Sequence, residues 1–116
     1  MEKQYEVKIT HHAELAMRQI VQFIAWDLQE PGTAVRLLSQ LRAGIRRLDH
    51  LPQRAHRTPE EPWHSLGVRR LLIKHYYIYF WVDEQNNRVQ IMDVIYAGRE
   101  QTQQLQAMPL PGGPEQ

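Results

Sequence analysis

Gly67-Val68-Arg69-Arg70-Leu71-Leu72-Ile73-Lys74-His75-Tyr76-Tyr77-Ile78-Tyr79-Phe80-Trp81-Val82-Asp83 is the stretch that sets the fold. Residues 68–73 and 76–82 are dense in β-branched and aromatic side chains, and only Lys74-His75 separates them. Two adjacent strands are expected. The polar run 83–88 that follows is a hairpin loop, because Asn86 and Asn87 tolerate left-handed backbone angles. Residues 89–96 then form the last strand. Strict alternation places Val89, Ile91 and Ile95 on one face and Met92, Val94 and Tyr96 on the other, so both faces are covered. A short helix over 101–108 and a loose tail over 109–116 complete this end.

Upstream, residues 4–9 alternate, with Tyr5, Val7 and Ile9 on the apolar side, which predicts a half-buried strand. Thr10 stands at an N-cap position and Glu14 in the following turn. Ala16, Ile20, Phe23 and Ile24 recur at helical spacing within 12–29, an amphipathic helix ended by Pro31-Gly32. Thr33 caps a second helix to about Leu51, with the stripe Ala34, Leu38, Leu41, Ile45 and Leu48. Gly44 inside it costs about 1 kcal/mol relative to alanine, which points to close packing or to local weakness. The short break makes the two helices an antiparallel hairpin. The expected class is α+β: an N-terminal strand, a helical hairpin, then a three-stranded antiparallel meander, with the helices on one face of the sheet. A single domain spans 4–108.

Composition narrows the function. The chain has 116 residues and no cysteine, which removes disulfides, thiol catalysis and cysteine zinc sites. No apolar run is long enough to span a membrane, and the polar start Met1-Glu2-Lys3-Gln4-Tyr5-Glu6 lacks a signal core, so a cytoplasmic protein is expected. No phosphate loop or dinucleotide glycine motif occurs, and no cofactor is called for. Adjacent His11 and His12 diverge on a helix by roughly 100°, and no metal-ligand pair appears. His64-Ser65 is likewise no triad, since catalytic partners are recognised by geometry.

The net charge of +1 hides a segregation. Residues 36–74 carry nine basic side chains against three acidic ones, a local charge of +6, and eight of the nine are arginine. Arginine forks onto phosphate or carboxylate, so an acidic partner is expected, with a merely solvated helix face as the alternative. Arg46, Arg47, Arg57, Arg69 and Lys74 are the candidate RNA- or target-binding residues. Arg70 on the basic strand lies near stackable rings, an arrangement suited to RNA, although most of those rings are expected in the core.

The ordered set of strand, helical hairpin, Leu48-Asp49-His50-Leu51-Pro52, Gly67-Val68-Arg69-Arg70, Tyr76-Tyr77-Ile78-Tyr79-Phe80-Trp81-Val82-Asp83 and Ile91-Met92-Asp93-Val94-Ile95-Tyr96-Ala97-Gly98-Arg99-Glu100 resembles the RelE/ParE toxins. The resemblance spans about residues 4–105. It implies a toxin of a type II toxin–antitoxin pair, held by a small acidic antitoxin. One branch of that family cleaves ribosome-bound mRNA without a metal, and the other poisons DNA gyrase. A binding module that keeps the fold and the antitoxin groove without toxicity is the alternative. By resemblance, Arg70 falls at a basic strand position of the nuclease branch and Arg99 at the arginine after its last strand. Tyr77 and Leu105 stand where RelE has an arginine and a tyrosine, and no His-Tyr pair closes the chain. Cleavage needs the ribose 2′-hydroxyl deprotonated and the phosphorane charge stabilised. Arg70 and Arg99 serve the second need, and His75 and Tyr96 are the nearest groups for the first.

Overall fold

The computed structural model describes residues 3–113. In chain order it contains β1 (Glu6–Ile9), α1 (His11–Gln22), α2 (Pro31–Arg46), β2 (Arg69–Ile73), β3 (Tyr76–Asp83), β4 (Arg88–Tyr96) and α3 (Gln101–Leu105). The sheet order is β1-β4-β3-β2. β2, β3 and β4 form the expected antiparallel meander, and β1 joins the open side of β4 in parallel. The helical hairpin supplies the crossover that a parallel partner requires. The Thr10 hydroxyl accepts the Ala13 N–H, so the expected cap is formed.

The hairpin differs from its sequence reading at the joint. Regular α1 ends at Gln22, and Phe23–Asp27 form a wider π-helical turn in which the Leu28 N–H reaches the Phe23 carbonyl at 3.1 Å. Left-handed Gln29 makes the break. Pro31 does not stop the first helix but opens the second. Its missing N–H falls where a helix leaves that donor unused. Glu30 therefore holds the cap position expected for Thr33, whose hydroxyl instead accepts from Arg36. α2 stops at Arg46, and tight turns at Arg47–Asp49 and Pro52–Arg54 carry the chain to 55.

Ile24, Ala34, Leu37, Leu41, Ile45 and Leu48 of this layer pack on Ile78, Phe80, Val89, Ile91 and Val94. Leu37 occupies the core position expected for Leu38, which is half-buried; both are apolar, so periodicity alone did not choose between them. Gly44 is buried against β2, and a Cβ there would run into Ile73. On the opposite face, Trp63, Val68, Tyr79, Met92 and Ile95 meet Leu105 and Met108 from the segment after β4. That segment thus covers the face the hairpin leaves open.

β4 serves both cores, and seven consecutive residues, 89–95, are buried. Its alternation is not strict. Tyr79 pairs with Asp93 while Phe80 pairs with Ile91, so Met92 is an extra residue that bulges the strand. A bulge resets which face follows. Val94 consequently joins Val89 and Ile91 under the helices, and Ile95 joins Met92 on the other side, reversing the expected placement of those two.

Of the tail expected over 109–116, the last three residues lie outside the described residues. Before them, the Gly112 N–H donates to Gln90 Oε1 at 2.9 Å, and Gln90 Nε2 donates to the Gly113 carbonyl at 3.3 Å. Among the described residues, no helix is long and apolar enough to cross a membrane.

Leu41 is fully buried. Leu41→Ala is expected to cost about 2–5 kcal/mol in urea unfolding, and Gly44→Ala to destabilise despite its better helix propensity. A Gly44→Ala variant as stable as the wild type would show that α2 does not press on Ile73 as described.

Candidate functional site

β1 pairs with β4 only as far as Ile91, so residues 92–96 have no strand on that side. A groove with a volume of about 820 Å³ runs along this edge, walled by Leu15, Ile20, Phe23 and Leu28 and closed at one end by Tyr96 and Arg99. The π-helical turn leaves Phe23, Trp26 and Leu28 more than half exposed beside it. Phe23 and Leu28 line the groove itself, so their exposed apolar surface makes it a candidate interaction surface.

A buried acid lies at the foot of the groove. Asp93 Oδ2 sits 3.0 Å from His12 Nε2, and Asp93 Oδ1 accepts the Val94 N–H at 2.8 Å. Burial pushes the Asp93 carboxyl above its ordinary value, and His12 opposes part of that rise. His12 also borders a smaller cavity of about 410 Å³ between the start of α1 and Pro109 and Leu110. The sequence reading missed this pair; the available signal was a single charge inside the apolar run Ile91-Met92-Asp93-Val94-Ile95.

The expected site residues fall in three places. At one end of the sheet, the His75 carbonyl accepts the Ala97 N–H at 2.8 Å, which draws the β2–β3 turn against the end of β4. His75, Lys74, Tyr96 and Arg99 all gather there as exposed side chains. The Tyr96 ring lies 5.6 Å from Tyr76, and a Cβ on Gly98 would strike it. Burial raises the Tyr76 phenol, and Tyr96 adds to the effect. Arg99 makes no ion pair among the described residues.

Arg70 is elsewhere. It lies four residues back along β2 from the turn, about 13 Å of strand. Its guanidinium stacks over the Tyr77 ring, 4.1 Å from the centroid, and pairs with Glu60 at 3.6 Å. Glu60 in turn contacts the hydroxyl of buried Thr58. Beneath them, buried Tyr79 donates to Gln101 Oε1 at 2.7 Å, and burial pushes its phenol up.

Arg69 points to the other side of β2 and donates to the carbonyls of Gln53 and Ala55 at 3.1 and 2.7 Å. It thereby straps the segment 53–57 along the sheet edge, where Arg57 bridges to Arg69 and the Arg70 N–H donates to the His56 carbonyl. Arg46, Arg47 and Arg54 are exposed and make no ion pair among the described residues; Arg57 donates once, to the His64 carbonyl. No group of three or more His, Asp or Glu side chains is placed to hold a metal among the described residues.

The family model for the ParE toxin of the type II toxin–antitoxin system parDE matches residues 7–101. The chain belongs to the ParE toxin family. A solved chain of the chromosomal ParDE toxin–antitoxin system from P. aeruginosa shares 20% identity with a TM-score of 0.66, over 80% of this chain and 96% of that one. A chain of the toxin–antitoxin complex RelBE2 from Mycobacterium tuberculosis shares 15% identity with a TM-score of 0.56, over 81% and 92%. At these identities the two structures speak for the fold, in line with the topology above. No curated protein matches the sequence. The ParE model ends at residue 101, so Leu105, Met108 and the segment hydrogen-bonded to Gln90 lie beyond the matched part of this ParE-family chain.

Because folded Asp93 keeps its proton to a higher pH than the unfolded chain does, stability falls as pH rises from the ordinary value of 3.8 through the raised one. Asp93→Asn cannot ionise. Its melting temperature relative to wild type should therefore climb between pH 4 and pH 7, and a pH-independent difference would contradict the burial argument.

Proposed function

We propose that this ParE-family chain is the toxin of a type II toxin–antitoxin pair, that it acts by binding its target without cutting RNA, and that DNA gyrase is that target. The observation carrying this reading is the state of Arg70. A cleaving site needs a cation free to meet the accumulating phosphorane charge and a base within hydrogen-bond reach. Arg70 is already stacked and ion-paired, while Arg99, His75 and Tyr96 lie at the other end of the strand. An arginine also stays protonated and does not take a proton.

The apolar groove along β4 is, on this reading, the seat of the antitoxin. An extended or helical segment with apolar side chains would cover Leu15, Phe23 and Leu28. The cations Arg46, Arg47, Arg54 and Lys74, exposed and without an ion pair among the described residues, suit an acidic partner, since complementary charge steers encounter. Phe23→Ala should weaken the antitoxin complex by at least about tenfold if that ring is an anchor. The association rate should drop as salt rises through roughly 0.15 M, where charges more than about 8 Å apart are screened. A salt-independent rate would remove the charge argument and leave the groove.

Induced expression with separate readouts tests the activity. The expected result is growth arrest with ribosome-bound mRNA intact and loss of gyrase supercoiling. Cleaved mRNA in the arrested cells would overturn the reading. In that event Arg70→Ala and Arg99→Ala should each lower cleavage about 100- to 1000-fold, the usual effect of losing one preorganised donor. No arrest at all would leave the antitoxin-binding module.

A further inference from the structure

The groove beside β4 and the smaller cavity next to it share His12 and Leu15, and the same two elements wall them both. α1 and the turn after it form the first wall. His12, Leu15, Gln19 and Phe23 recur at helical spacing along one stripe, with His11 at its start. From His11 to Phe23 this wall is about 18 Å long at the helical rise. The segment after β4 is the second wall. Gln104 and Ala107 line the groove, and Pro109, Leu110 and Gly113 line the smaller cavity. β4 runs between the walls, giving Val94 and Ile95 to the first space and Gln90 and Met92 to the second. The two spaces are one cleft. Its second wall is fixed in place. Buried Met108 anchors it before Pro109-Leu110. Gly112 anchors it afterwards, through the Gln90 amide and a left-handed turn (φ 80°) against the Trp81 ring. Between these anchors Leu110 is 64% exposed. An apolar side chain ordered in advance and left in water loses little further freedom when a partner covers it.

We propose that the antitoxin occupies the whole cleft, running along α1 past His12, and that Leu110 grips one of its apolar side chains against Leu15 and Met92. The inference rests on the reading of the groove as the antitoxin's seat. It extends that seat to residues beyond the family match, which ends at 101. Continuity argues for a single occupant. Tyr96 and Arg99 close the far end of the groove, so a segment that fills it continues across His12 into the smaller cavity. The walls there set its chemistry. Leu15, Met92, Pro109 and Leu110 call for an apolar side chain. The imidazoles of His11 and His12 beside them offer hydrogen-bond donors to a neighbouring carboxylate, in keeping with an acidic partner. The segment after β4 thus gives this seat a wall outside the family match, and with it a means of discriminating between antitoxins.

Binding of the full-length toxin to the purified antitoxin of its pair tests this, with circular dichroism melting as the folding control. Leu110→Ser should weaken the complex by at least about tenfold, mainly through faster dissociation. Val35→Ser, at a similarly exposed position on α2 that lines neither space, should leave it unchanged. Amide exchange on the wild-type complex needs no variant, and residues 107–113 should gain protection there. Weaker binding by Phe23→Ala but not by Leu110→Ser would end the antitoxin at His12: the groove reading would stand and this proposal would fall. Weaker binding by Leu110→Ser alone would place the partner at the smaller cavity and overturn the continuous seat. If neither substitution matters, both readings fall. Unaltered exchange over 107–113 also overturns the proposal.

Discussion

One strand has to satisfy two cores, and the rest of the molecule is arranged around that demand. Every residue of β4 from 89 to 95 is buried, so the helical hairpin must cover one face and something else must cover the other. The cover on the second face comes from the loop residue Trp63 and from Leu105 and Met108. A regular strand would offer the two cores a fixed alternation. The bulge at Met92 instead lets Val94 complete the helix-side core and Ile95 the other, with neither buried apolar group misplaced.

The same strand generates the groove. β1 is only four residues long and releases β4 at Ile91, where Thr10 turns the chain into α1. Its Oγ1 donates to the Ile91 carbonyl at 2.8 Å, closing the parallel pairing. Beyond that point the strand edge would present bare peptide groups, an invitation to uncontrolled pairing. Asp93 bends back to accept the Val94 N–H, and His12 holds the carboxylate there. The groove is thus an edge that is open in shape and partly satisfied in hydrogen bonding, a surface suited to a dedicated partner.

Charge is organised by the same economy of placement. Arg42 pairs with Glu14, Arg88 with Glu6 and Arg70 with Glu60, and Arg69 donates to backbone carbonyls. Among the described residues, cations without an ion pair lie on α1 (Arg18), at the end of α2, on the strapped segment, in the β2–β3 turn and after β4 (Arg99). The basic character legible in the composition is therefore of two kinds: guanidiniums that hold the fold, and others that face solvent with their charge intact. Only the second kind is available to an acidic partner.

Local chemistry made much of this legible from sequence. Alternation and β-branched density marked the strands and Thr10 marked the first helix, because each reports on a residue's immediate neighbours along the chain; Gly44 was legible only as an irregularity in α2, and its neighbour Ile73 came from the tertiary structure. The joint at Gln29-Glu30-Pro31 was legible only as a break, since proline both ends and begins helices. Leu37 against Leu38, Val94 against Ile95, the carboxylate of Glu60 on Arg70 and the His12–Asp93 pair were decided by the tertiary structure. In each case the deciding neighbour is distant in sequence or shifts the register, as for Asp93 and His12, 81 residues apart. Periodicity assigns a residue to a face, and packing decides what that face meets; the partner of a charge is set by the second of these.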